Sequence, residues 1–422
     1  MQGMNAAQAT ALVRPGDTVF IAGCCGEPKV VLDAVEAQPS LWQDVRVVGS
    51  FIPGVNDSDF SALGRGTQVD TIFATRGLHP VLSAGRVNLL PVSYTGLWQM
   101  LSEPGRVDIA FVQVTVPRDD GTTSFGIAVD FVPALIDAGA RLVGIVNPAM
   151  PDPLDGPRVP VDRFEALVHA QTPLIEYDGG APDAAMLAIG QHIVALLEEG
   201  DTLQLGLGKI QSAVLRQLAG RRGLGFHGGM ISTPMLERLE EGTFSKGILT
   251  GVALGTEPFY RALNKIDGIA FRPVSQTHDL GALSKVPNLV SVNSVLQVDL
   301  FGQASAEMLG HRQISGQGGL VDFVRGARQS HGGRSILALP STAGKETRSR
   351  IVPALAEGVP ATVSRADVDI VVTEYGVARL RGVDVEERVH RLLAIAHPAF
   401  RDDLVRAWRA LGRRSQETMR TS

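Results

Sequence analysis

The residues best suited to chemistry form a glycine-rich turn, Gly206-Leu207-Gly208, directly after a predicted strand at residues 202–205. The helix predicted after the turn has one apolar face, formed by Ile210, Ala213, Val214 and Leu218. Glycines at the N-terminus of a helix leave backbone N–H groups free to hold an anion or a developing oxyanion. The turn therefore predicts acyl chemistry, although turn geometry alone also favours glycine.

Two more glycine-rich segments carry polar side chains. LGFHGGM, residues 224–230, places His227 directly before Gly228 and Gly229. A histidine in such a loop can act as a general base, but a hydrogen bond within its own loop is the commoner role. SGQGG, residues 315–319, precedes a predicted helix. The apolar residues of that helix recur at helical spacing and form one face, namely Leu320, Phe323, Val324 and Ala327.

Composition sets limits on the function. The chain has 422 residues, 44% of them hydrophobic, and a formal net charge of -5, which argues against nucleic acid as the main partner. Cys24 and Cys25 are adjacent and form no CxxC or zinc pattern, so we expect a reduced, cytoplasmic protein without a metal. The sequence has neither a signal-peptide pattern nor an apolar run of membrane-spanning length, so we expect no membrane association.

Short apolar runs alternate with helical patterns along most of the chain, which predicts an α/β fold with largely parallel, buried sheets. The predicted strands span residues 18–22, 45–49, 71–74, 87–92, 107–114, 141–146, 202–205, 247–253, 268–274, 289–298, 335–339 and 368–372. Residues 114–126 are rich in turn formers and are predicted to be a functional or edge loop. Residues 147–162 are rich in proline and are predicted to be irregular surface chain.

A Gly-Asp-Thr sequence begins the same pattern twice. GDTVFIAGCCGEPKVVLDAV starts at Gly16 and GDTLQLGLGKIQSAVLRQL starts at Gly200, and both are predicted as strand, glycine turn and amphipathic helix. Two such units, one near the start of each half, predict a duplicated domain. We place the boundary before a strongly periodic helix, which gives an N-terminal domain of residues 1–183 and a C-terminal domain of residues 184–422.

Many longer motifs resemble the acetyl-CoA hydrolase/transferase group of class I CoA-transferases, typified by the 4-hydroxybutyrate CoA-transferases. They occur in the family's order over nearly the whole chain: VNPAMP (146–151), GDTLQLGLG (200–208), LGFHGGM (224–230), VNSVLQVDLFGQ (292–303), SGQGGLVDFVRGA (315–327), GGRSILALPSTA (332–343), SRIVPAL (349–355), VVTEYGVARLRG (371–382) and IAHPAFRDDL (395–404). The resemblance implies two similar open α/β domains with the active site between them. It also implies coenzyme A, as an acyl-CoA co-substrate, with small carboxylates as the other substrates, and a homodimer.

In that family a glutamate carboxylate attacks the thioester, and the resulting anhydride becomes an enzyme–CoA thioester that an incoming carboxylate collects. The resemblance assigns the oxyanion-binding and CoA-binding side of the site to residues of the glycine-rich loops. These are Gly206, Leu207, Gly208, Gly228, Gly316, Gln317, Gly318 and Gly319.

The family's nucleophile is absent from this sequence. The family pattern Gly-Ile-His-Thr-Glu-Met is Gly-Phe-His-Gly-Gly-Met here, and Gly229 occupies the glutamate position between the matching His227 and Met230. Gly229 either leaves a wider pocket for a larger ligand or marks an inactive homologue. If the pocket is otherwise intact, Gly229→Glu should create or raise transferase activity.

Several side chains are candidates to take over the reaction. Glu307 matches a position that is often acidic in relatives, with a structural role about equally plausible. His227 is a candidate general base for water. Cys25 is a candidate thiolate nucleophile, although a lone cysteine is usually inert packing. The remaining glutamates considered are expected to be solvated or structural: Glu237, Glu240, Glu241 and Glu374.

The sequence thus predicts an acyl-CoA-binding enzyme that transfers CoA between carboxylates or otherwise processes a CoA thioester. Two alternatives remain open at this point. The first is hydrolysis of the thioester by water, and the second is a non-catalytic homologue that acts as a partner subunit.

Overall fold

The computed structural model describes residues 3–58, 60, 63–78, 82 and 85–421, and the side chains of those up to residue 411. The strands of the first half are β1 Thr18–Ile21, β2 Arg46–Gly49, β3 Gln68–Thr71, β4 Val87–Leu89, β5 Ile109–Val114, β6 Thr122–Ser124, β7 Arg141–Val146, β8 Arg158–Pro160 and β9 Ala166–His169. The strands of the second half are β10 Thr202–Leu205, β11 Gly225–His227, β12 Met230–Ser232, β13 Ile248–Thr250, β14 Val252–Leu254, β15 Ile269–Phe271, β16 Leu289–Ser294, β17 Gln297–Asp299, β18 Ala304–Ser305, β19 Met308–Leu309, β20 Arg312–Gln313, β21 Arg334–Ala338, β22 Thr342–Ala343, β23 Arg348–Ser349, β24 Ile351–Val352, β25 Ile370–Thr373 and β26 Gly376–Arg379.

The helices lie between these strands, and side chains cap several of them at their N-termini, for example Ser93, Asp183 and Asp384. The α-helices are α1 Ala6–Thr10, α2 Lys29–Ala37, α3 Tyr94–Leu101, α4 Val132–Asp137, α5 Ala184–Val194, α6 Lys209–Gln217, α7 Leu236–Glu240, α8 Glu257–Ala262, α9 Val274–Thr277, α10 Leu280–Leu283, α11 Leu320–Gln329, α12 Val385–Ile395 and α13 Arg401–Thr421. Short 3-10 turns occur at Cys24–Gly26, Pro39–Leu41, Val161–Arg163, Thr233–Met235 and Pro398–Phe400. Within the described residues, no helix has the length and apolarity needed to cross a membrane.

Two large sheets organise the described chain. The first has the strand order β4-β3-β2-β1-β5-β7-β9 and the second the order β15-β13-β11-β10-β16-β21-β25-β26. Neighbouring strands within both sheets are parallel, except that β26 runs antiparallel to β25. Strand β5 is buried along its whole length, as expected for a parallel strand covered on both faces. The predicted α/β class with mainly parallel sheets is confirmed.

The duplication predicted from the two Gly-Asp-Thr sequences extends to a matching ion pair in each half. In each sheet the first strand lies inside, and its preceding aspartate pairs with the arginine that begins a later strand. Nη2 of Arg141 lies 2.8 Å from Oδ2 of Asp17, and Nη2 of Arg334 lies 2.5 Å from Oδ2 of Asp201. The two halves are therefore built on the same plan, while the boundary between residues 183 and 184 stays a prediction.

Two predicted strands are each divided in the structure. The predicted strand 247–253 breaks at Gly251 into β13 of the large sheet and β14, which pairs with β12 instead. A side chain at position 251 would collide with the other half of the chain, because a Cβ there would lie 2.8 Å from Oδ1 of Asp130. Glycine avoids this contact at the point where the strand breaks. The predicted strand 289–298 likewise divides into β16 and β17, which belong to different sheets.

Three further differences concern short strands that the sequence pattern did not locate correctly. The predicted strand 71–74 is displaced, since strand β3 spans Gln68–Thr71. The polar residues at 68 and 70 interrupt the apolar run from which the strand was predicted. The stretches predicted to be irregular contain β6 and β8, which pair with each other in antiparallel fashion. Three described strands of the large sheets were not predicted: β9 and β26 lie at sheet edges, and β11 lies inside the second sheet.

The main core joins the two halves. One continuous cluster of buried apolar side chains includes Phe125 and Ile127 from the first half and Phe226 and Ile231 from the second. Backbone contacts reinforce this packing, since N–H of Ala253 donates to the carbonyl of Ile127 at 2.9 Å. The region between the sheets is thus rigidly held, and the candidate site lies there.

Candidate active site

A cavity of about 390 Å³ lies between the two halves and is lined by both. The first half contributes six side chains to its wall: Ile52, Pro53, Phe73, Tyr94, Asp130 and Tyr177. The second half contributes residues 204–207, 211, 229–230, 278, 293–294, 306, 315–320 and 323. A concave site with mixed apolar and polar walls, formed where two sheets meet, has the features of a ligand pocket.

The glycine turn predicted from the sequence lines this cavity. Strand β10 delivers Gly206 and Leu207 to the wall, while Gly208 lies behind them as the N-cap of α6 with φ +114°. A side chain at that φ would be strained, so glycine is required. Gln211, one turn into α6, donates from Nε2 to Oγ of Ser294 at 3.1 Å and ties the turn to β16.

The second glycine loop, residues 315–319, lines the cavity along its whole length and packs against the first half. A Cβ at Gly316 would lie 1.8 Å from the carbonyl oxygen of Ile72, and one at Gly318 would lie 2.7 Å from Cζ of Phe73. The carbonyl of Gly318 also accepts a hydrogen bond from N–H of Tyr94 at 3.2 Å. Gly316 and Gly318 therefore fit closely against the first half, and the loop of residues 315–319 forms one wall of the cavity.

The place beside Gly229 is filled by a histidine that the sequence analysis missed. A Cβ at Gly229 would lie 2.6 Å from Cε1 of His278, and a Cβ at Gly319 would lie 2.5 Å from Cδ2 of the same ring. The ring stacks on Tyr94 with centroids 4.6 Å apart, and its Nδ1 lies 2.7 Å from Oγ1 of Thr277. Burial, and then the neighbouring His227, lower the pKa of His278 to about 3, so this imidazole is neutral.

His227 does not line the described cavity. Its Nε2 is 3.1 Å from the carbonyl oxygen of Gln276, and because a carbonyl can only accept, that nitrogen carries the proton. Burial lowers the pKa of His227 below its usual range. The hydrogen bond joins His227 to a distant segment and not, as expected, to its own loop, and Nδ1 is left as the nitrogen with a lone pair.

Gly228 and Glu307 also lie outside the lining that the described residues form. N–H of Gly228 donates to the carbonyl of Leu249 at 3.0 Å, within the sheet. Oε1 of Glu307 accepts a hydrogen bond from Thr362 at 2.7 Å, and its carbonyl accepts one from N–H of Ser315 at 3.2 Å. Glu307 therefore anchors the start of the second glycine loop.

Cys25 is part of the core between the halves. Its Sγ donates to the carbonyl oxygen of Ala253 at 3.0 Å, and the residue is fully buried. Burial raises the pKa of the Cys25 thiol, with the charge of Asp130 adding to the effect. A thiol that stays protonated is a poor nucleophile, so the geometry disfavours the thiolate alternative.

Three of the four other glutamates have local partners, namely Glu237, Glu241 and Glu374. Glu237 and Glu241 both pair with Nη2 of Arg238, at 3.0 Å each. Glu374 accepts hydrogen bonds from N–H and Oγ of Ser341 at 2.8 and 2.6 Å. These contacts agree with the surface and structural roles expected for them.

Asp130 is the one carboxylate among the described lining residues of the cavity. It follows an apolar run in the segment FGIAVD, where nothing in the spacing distinguishes it. Its Oδ1 is buried and accepts no hydrogen bond from the described residues. Burial raises the pKa of this carboxyl to about 7.

Comparisons with known proteins agree with this architecture. The family model for the acetyl-CoA hydrolase/transferase N-terminal domain matches residues 2–157, and that for the C-terminal domain matches residues 255–408. A 4-hydroxybutyrate coenzyme A transferase from Clostridium kluyveri is 33% identical over 411 residues, which cover 95% of this chain and 96% of that protein. A succinyl-CoA:cyclohexane-1-carboxylate CoA transferase from Geobacter metallireducens is 31% identical over 414 residues, covering 96% and 94% respectively. The crystal structure of RipA from Yersinia pestis is similar with a TM-score of 0.91 at 27% identity, over 97% of each chain.

The two parallel-sheet halves with a cavity between them, together with these matches, give the fold class as that of a CoA-transferase. The chain belongs to the acetyl-CoA hydrolase/transferase family, as its motifs predicted. It is an enzyme of that family, whose members act on CoA thioesters. The assignment of Gly229 to the position of the family's nucleophile remains a prediction.

Proposed function

We propose that this enzyme binds an acyl-CoA in the cavity between its halves and transfers the CoA to a small carboxylate. The observation that carries the proposal is the lining of the cavity, which contains Gly206 and Leu207 of the first glycine loop together with residues 315–319 of the second. Both loops belong to motifs that resemble those of the family, and residues of both line one common cavity.

The walls of the cavity suit a thioester. Apolar groups such as Ile52, Phe73 and Phe323 can contact an acyl chain, and backbone N–H groups of the glycine loops are candidates to hold the thioester oxygen as charge develops on it. Gln204 and Asn293 add an amide pair, joined by a hydrogen bond of 2.9 Å, which can recognise a polar acyl or carboxylate group. These features support small polar or apolar acyl groups as substrates.

Hydrolysis is the second candidate, and the glycine at position 229 favours it, since that residue offers no carboxylate to carry CoA. The two reactions differ in one measurable respect. Transfer produces a new thioester only when an acceptor carboxylate is present, whereas hydrolysis releases free thiol without one.

The test is incubation of the purified enzyme with a panel of acyl-CoAs, with and without carboxylate acceptors, while free thiol and new thioesters are measured. We expect acceptor-dependent formation of new thioesters. Thiol release that is independent of the acceptor would instead assign hydrolysis, and no turnover with any acyl-CoA would contradict both candidates.

Matched glycine variants test the location of the site. Gly206 has room for a side chain, since the nearest atom to its Cβ would be 3.7 Å away, so Gly206→Val should fill the cavity and reduce acyl-CoA affinity. Gly156 has similar room, with the nearest atom 3.8 Å away, but does not line the described cavity. Gly156→Val is therefore the control, and equal effects of the two variants on affinity would contradict the location.

We further propose that the enzyme is a cytoplasmic homodimer. Cys24 and Cys25 are both buried free thiols, which supports a reducing compartment. The dimer rests on the family resemblance, and light scattering during size-exclusion chromatography tests it. A mass of one chain at micromolar concentration would contradict the dimer.

A further inference from the structure

Asp130 comes from the first half of the chain but is fixed to the second half by backbone hydrogen bonds. N–H of Val274 donates to its carbonyl at 3.1 Å, and N–H of the preceding Val129 donates to the carbonyl of Gly251 at 3.1 Å. The residue adopts a backbone φ of +30°, a conformation that residues other than glycine rarely adopt. The backbone at Asp130 is thus held against the second half of the chain.

One oxygen of the Asp130 carboxylate, Oδ1, is buried without a structural partner among the described residues, while the residue as a whole is half-buried at the cavity wall. A buried carboxylate is normally hydrogen-bonded or paired, as Asp322 is through Ser93 and Thr95. Oδ1 of Asp130 accepts no hydrogen bond from the described residues. A side chain kept in a position that costs stability, at the wall of a cavity, points to a role in the reaction.

This carboxylate lies beside position 229. A Cβ at Gly251 would lie 2.8 Å from Oδ1 of Asp130 and 3.2 Å from the carbonyl oxygen of Gly229. Gly251 also donates from its N–H to the carbonyl of Gly229 at 3.1 Å. Asp130 therefore brings a carboxylate from the opposite half to the neighbourhood where the sequence lacks one.

We propose that Asp130 is the nucleophilic carboxylate of this enzyme, a proposal that rests on the transfer function proposed above. An oxygen of Asp130 attacks the thioester carbonyl carbon, the C–S bond breaks, and CoA leaves as the thiolate. The thiolate then attacks the aspartyl carbonyl of the mixed anhydride, which releases the first carboxylate and leaves an aspartyl–CoA thioester. An acceptor carboxylate attacks that thioester, and the same two steps in reverse yield the new acyl-CoA and free Asp130.

The groups around Asp130 leave its charge unopposed. Burial keeps Tyr94, Cys24 and Cys25 protonated by raising the pKa of each, and it keeps His278 neutral. A carboxylate oxygen that is shielded from water and accepts no hydrogen bond from the described residues, as Oδ1 of Asp130 is, is a stronger nucleophile than a hydrated one. Because the attacking form is ionised and burial raises the pKa of Asp130 to about 7, the rate should rise with pH through about that value.

The test is to trap the aspartyl–CoA thioester on the wild-type enzyme. Borohydride reduces a thioester to an alcohol and leaves free carboxylates unchanged, so reduction during turnover should convert Asp130 to homoserine. Peptide mass spectrometry then locates the change. We expect it at Asp130, dependent on acyl-CoA and absent when CoA alone is added.

Variants provide a second measurement. Asp130→Asn keeps the shape of the side chain, so it should fold with equal or higher thermal stability while losing activity by roughly a thousandfold or more. Asp369→Asn makes the same change at a buried carboxylate away from the cavity and should leave activity and trapping unchanged. Asp130→Asn should also remove the borohydride label.

The possible failures are distinguishable. If the wild-type enzyme transfers CoA but the label lies on another residue, or if Asp130→Asn stays active, the role of Asp130 is refuted and the transfer function stands. A third outcome is that the wild-type enzyme releases thiol without an acceptor and never gives a label, while Asp130→Asn abolishes this release. In that case Asp130 acts on water, and its role as the nucleophile is refuted. If the wild-type enzyme turns over no acyl-CoA, both proposals fail together.

Discussion

Position 229 has room for a glycine and for little more, because the ring of His278 lies against it. The sequence left two interpretations of Gly229, a wider pocket or an inactive homologue. The contact of 2.6 Å between a Cβ at 229 and Cε1 of His278 argues against the first of them. The space that a side chain would need is already occupied by an imidazole, so the two residues should behave as one unit.

A double-mutant cycle measures this dependence. Gly229→Ala forces the ring out of its stack on Tyr94 and should destabilise the fold by about 1 to 3 kcal/mol, the usual cost of overpacking. In the His278→Ala background the same change should cost much less, giving a coupling energy of about 1 kcal/mol or more by urea denaturation. Gly156→Ala, with ordinary contacts at 3.8 Å, serves as the control.

Additive effects of the substitutions at 229 and 278 on the unfolding free energy would show that the two positions are independent.

The same geometry changes the expectation for Gly229→Glu. This substitution alone should add no transferase activity, because the ring of His278 keeps the glutamate out of the site. A gain in activity is expected only when His278→Ala is combined with it, as measured by the formation of new thioesters.

His278 should also set part of the acid sensitivity of the fold. Its pKa is lowered to about 3 in the folded state, mainly by burial, while an unfolded histidine titrates near about 6.5. The unfolded state therefore takes up the proton first, and stability is lost as pH falls below about 6.5. Relative to His278→Asn, the wild type should lose about 2 kcal/mol of unfolding free energy between about pH 7 and about pH 5.

Asp130→Asn provides the control of opposite sign. Burial raises the folded pKa of Asp130 to about 7, above its unfolded value near about 3.9, so this group favours folding as pH falls through about 7. Relative to Asp130→Asn, the wild type should become more stable on acidification. Parallel pH curves for all three proteins would contradict both pKa shifts.

Among the elements, α11 connects the site to the first half of the molecule. Its preceding loop lines the cavity, and Asp322 in its first turn accepts hydrogen bonds from Oγ of Ser93 at 2.8 Å and N–H of Thr95 at 3.1 Å. These donors lie at the N-terminus of α3, where a negative charge is favourable to the helix dipole. One carboxylate thus holds two helices from different halves together beside the cavity.

Truncation of this carboxylate should loosen the site. Asp322→Ala should lower the unfolding free energy by about 2 kcal/mol and weaken acyl-CoA binding, because two donors lose a charged acceptor. Asp322→Asn keeps one acceptor oxygen and should fall between the wild type and the alanine variant. Equal losses for both variants would show that the acceptor oxygen retained in asparagine contributes nothing, and no loss in either, in denaturation or in binding titrations, would show that the hydrogen bonds contribute nothing.

Elements also explain which parts were predictable from the sequence. The glycine loops at 206–208 and 315–319 are contiguous in sequence and begin helices, so their pattern is visible in one stretch. Asp130 and His278 reach the cavity only through pairing between distant segments, and neither has a local spacing that marks it. Strands β13 and β14 were predicted as one because an apolar run does not show where a chain leaves its sheet.

At the scale of the whole molecule, the two halves repeat the same ion pair at the same place in each sheet. The repeats differ in burial, since the side chain of Asp201 is 2% exposed and that of Asp17 is 13% exposed. A more deeply buried carboxylate suffers more when its partner is removed. The ion pair of Arg334 and Asp201 in the second half should therefore contribute more to stability than the pair of Arg141 and Asp17 in the first half.

Removal of each arginine in turn tests this ranking. Arg334→Ala leaves Asp201 buried without its partner and should cost about 3 to 5 kcal/mol of unfolding free energy. Arg141→Ala should cost about 1 kcal/mol, since its more exposed pair is better solvated. Calorimetry of both variants gives the comparison, and a larger loss for Arg141→Ala would overturn the ranking.

The packing of His278 between Gly229 and Gly319 has an evolutionary consequence. A glycine codon of the form GGA or GGG is a single base change away from glutamate, so the genetic distance to a carboxylate at 229 is short. The physical distance is longer, because the ring at 278 would have to become smaller first. Substitutions at the two sites are therefore ordered, with position 278 changing before position 229, and a lineage that acquires this histidine loses the direct route to glutamate.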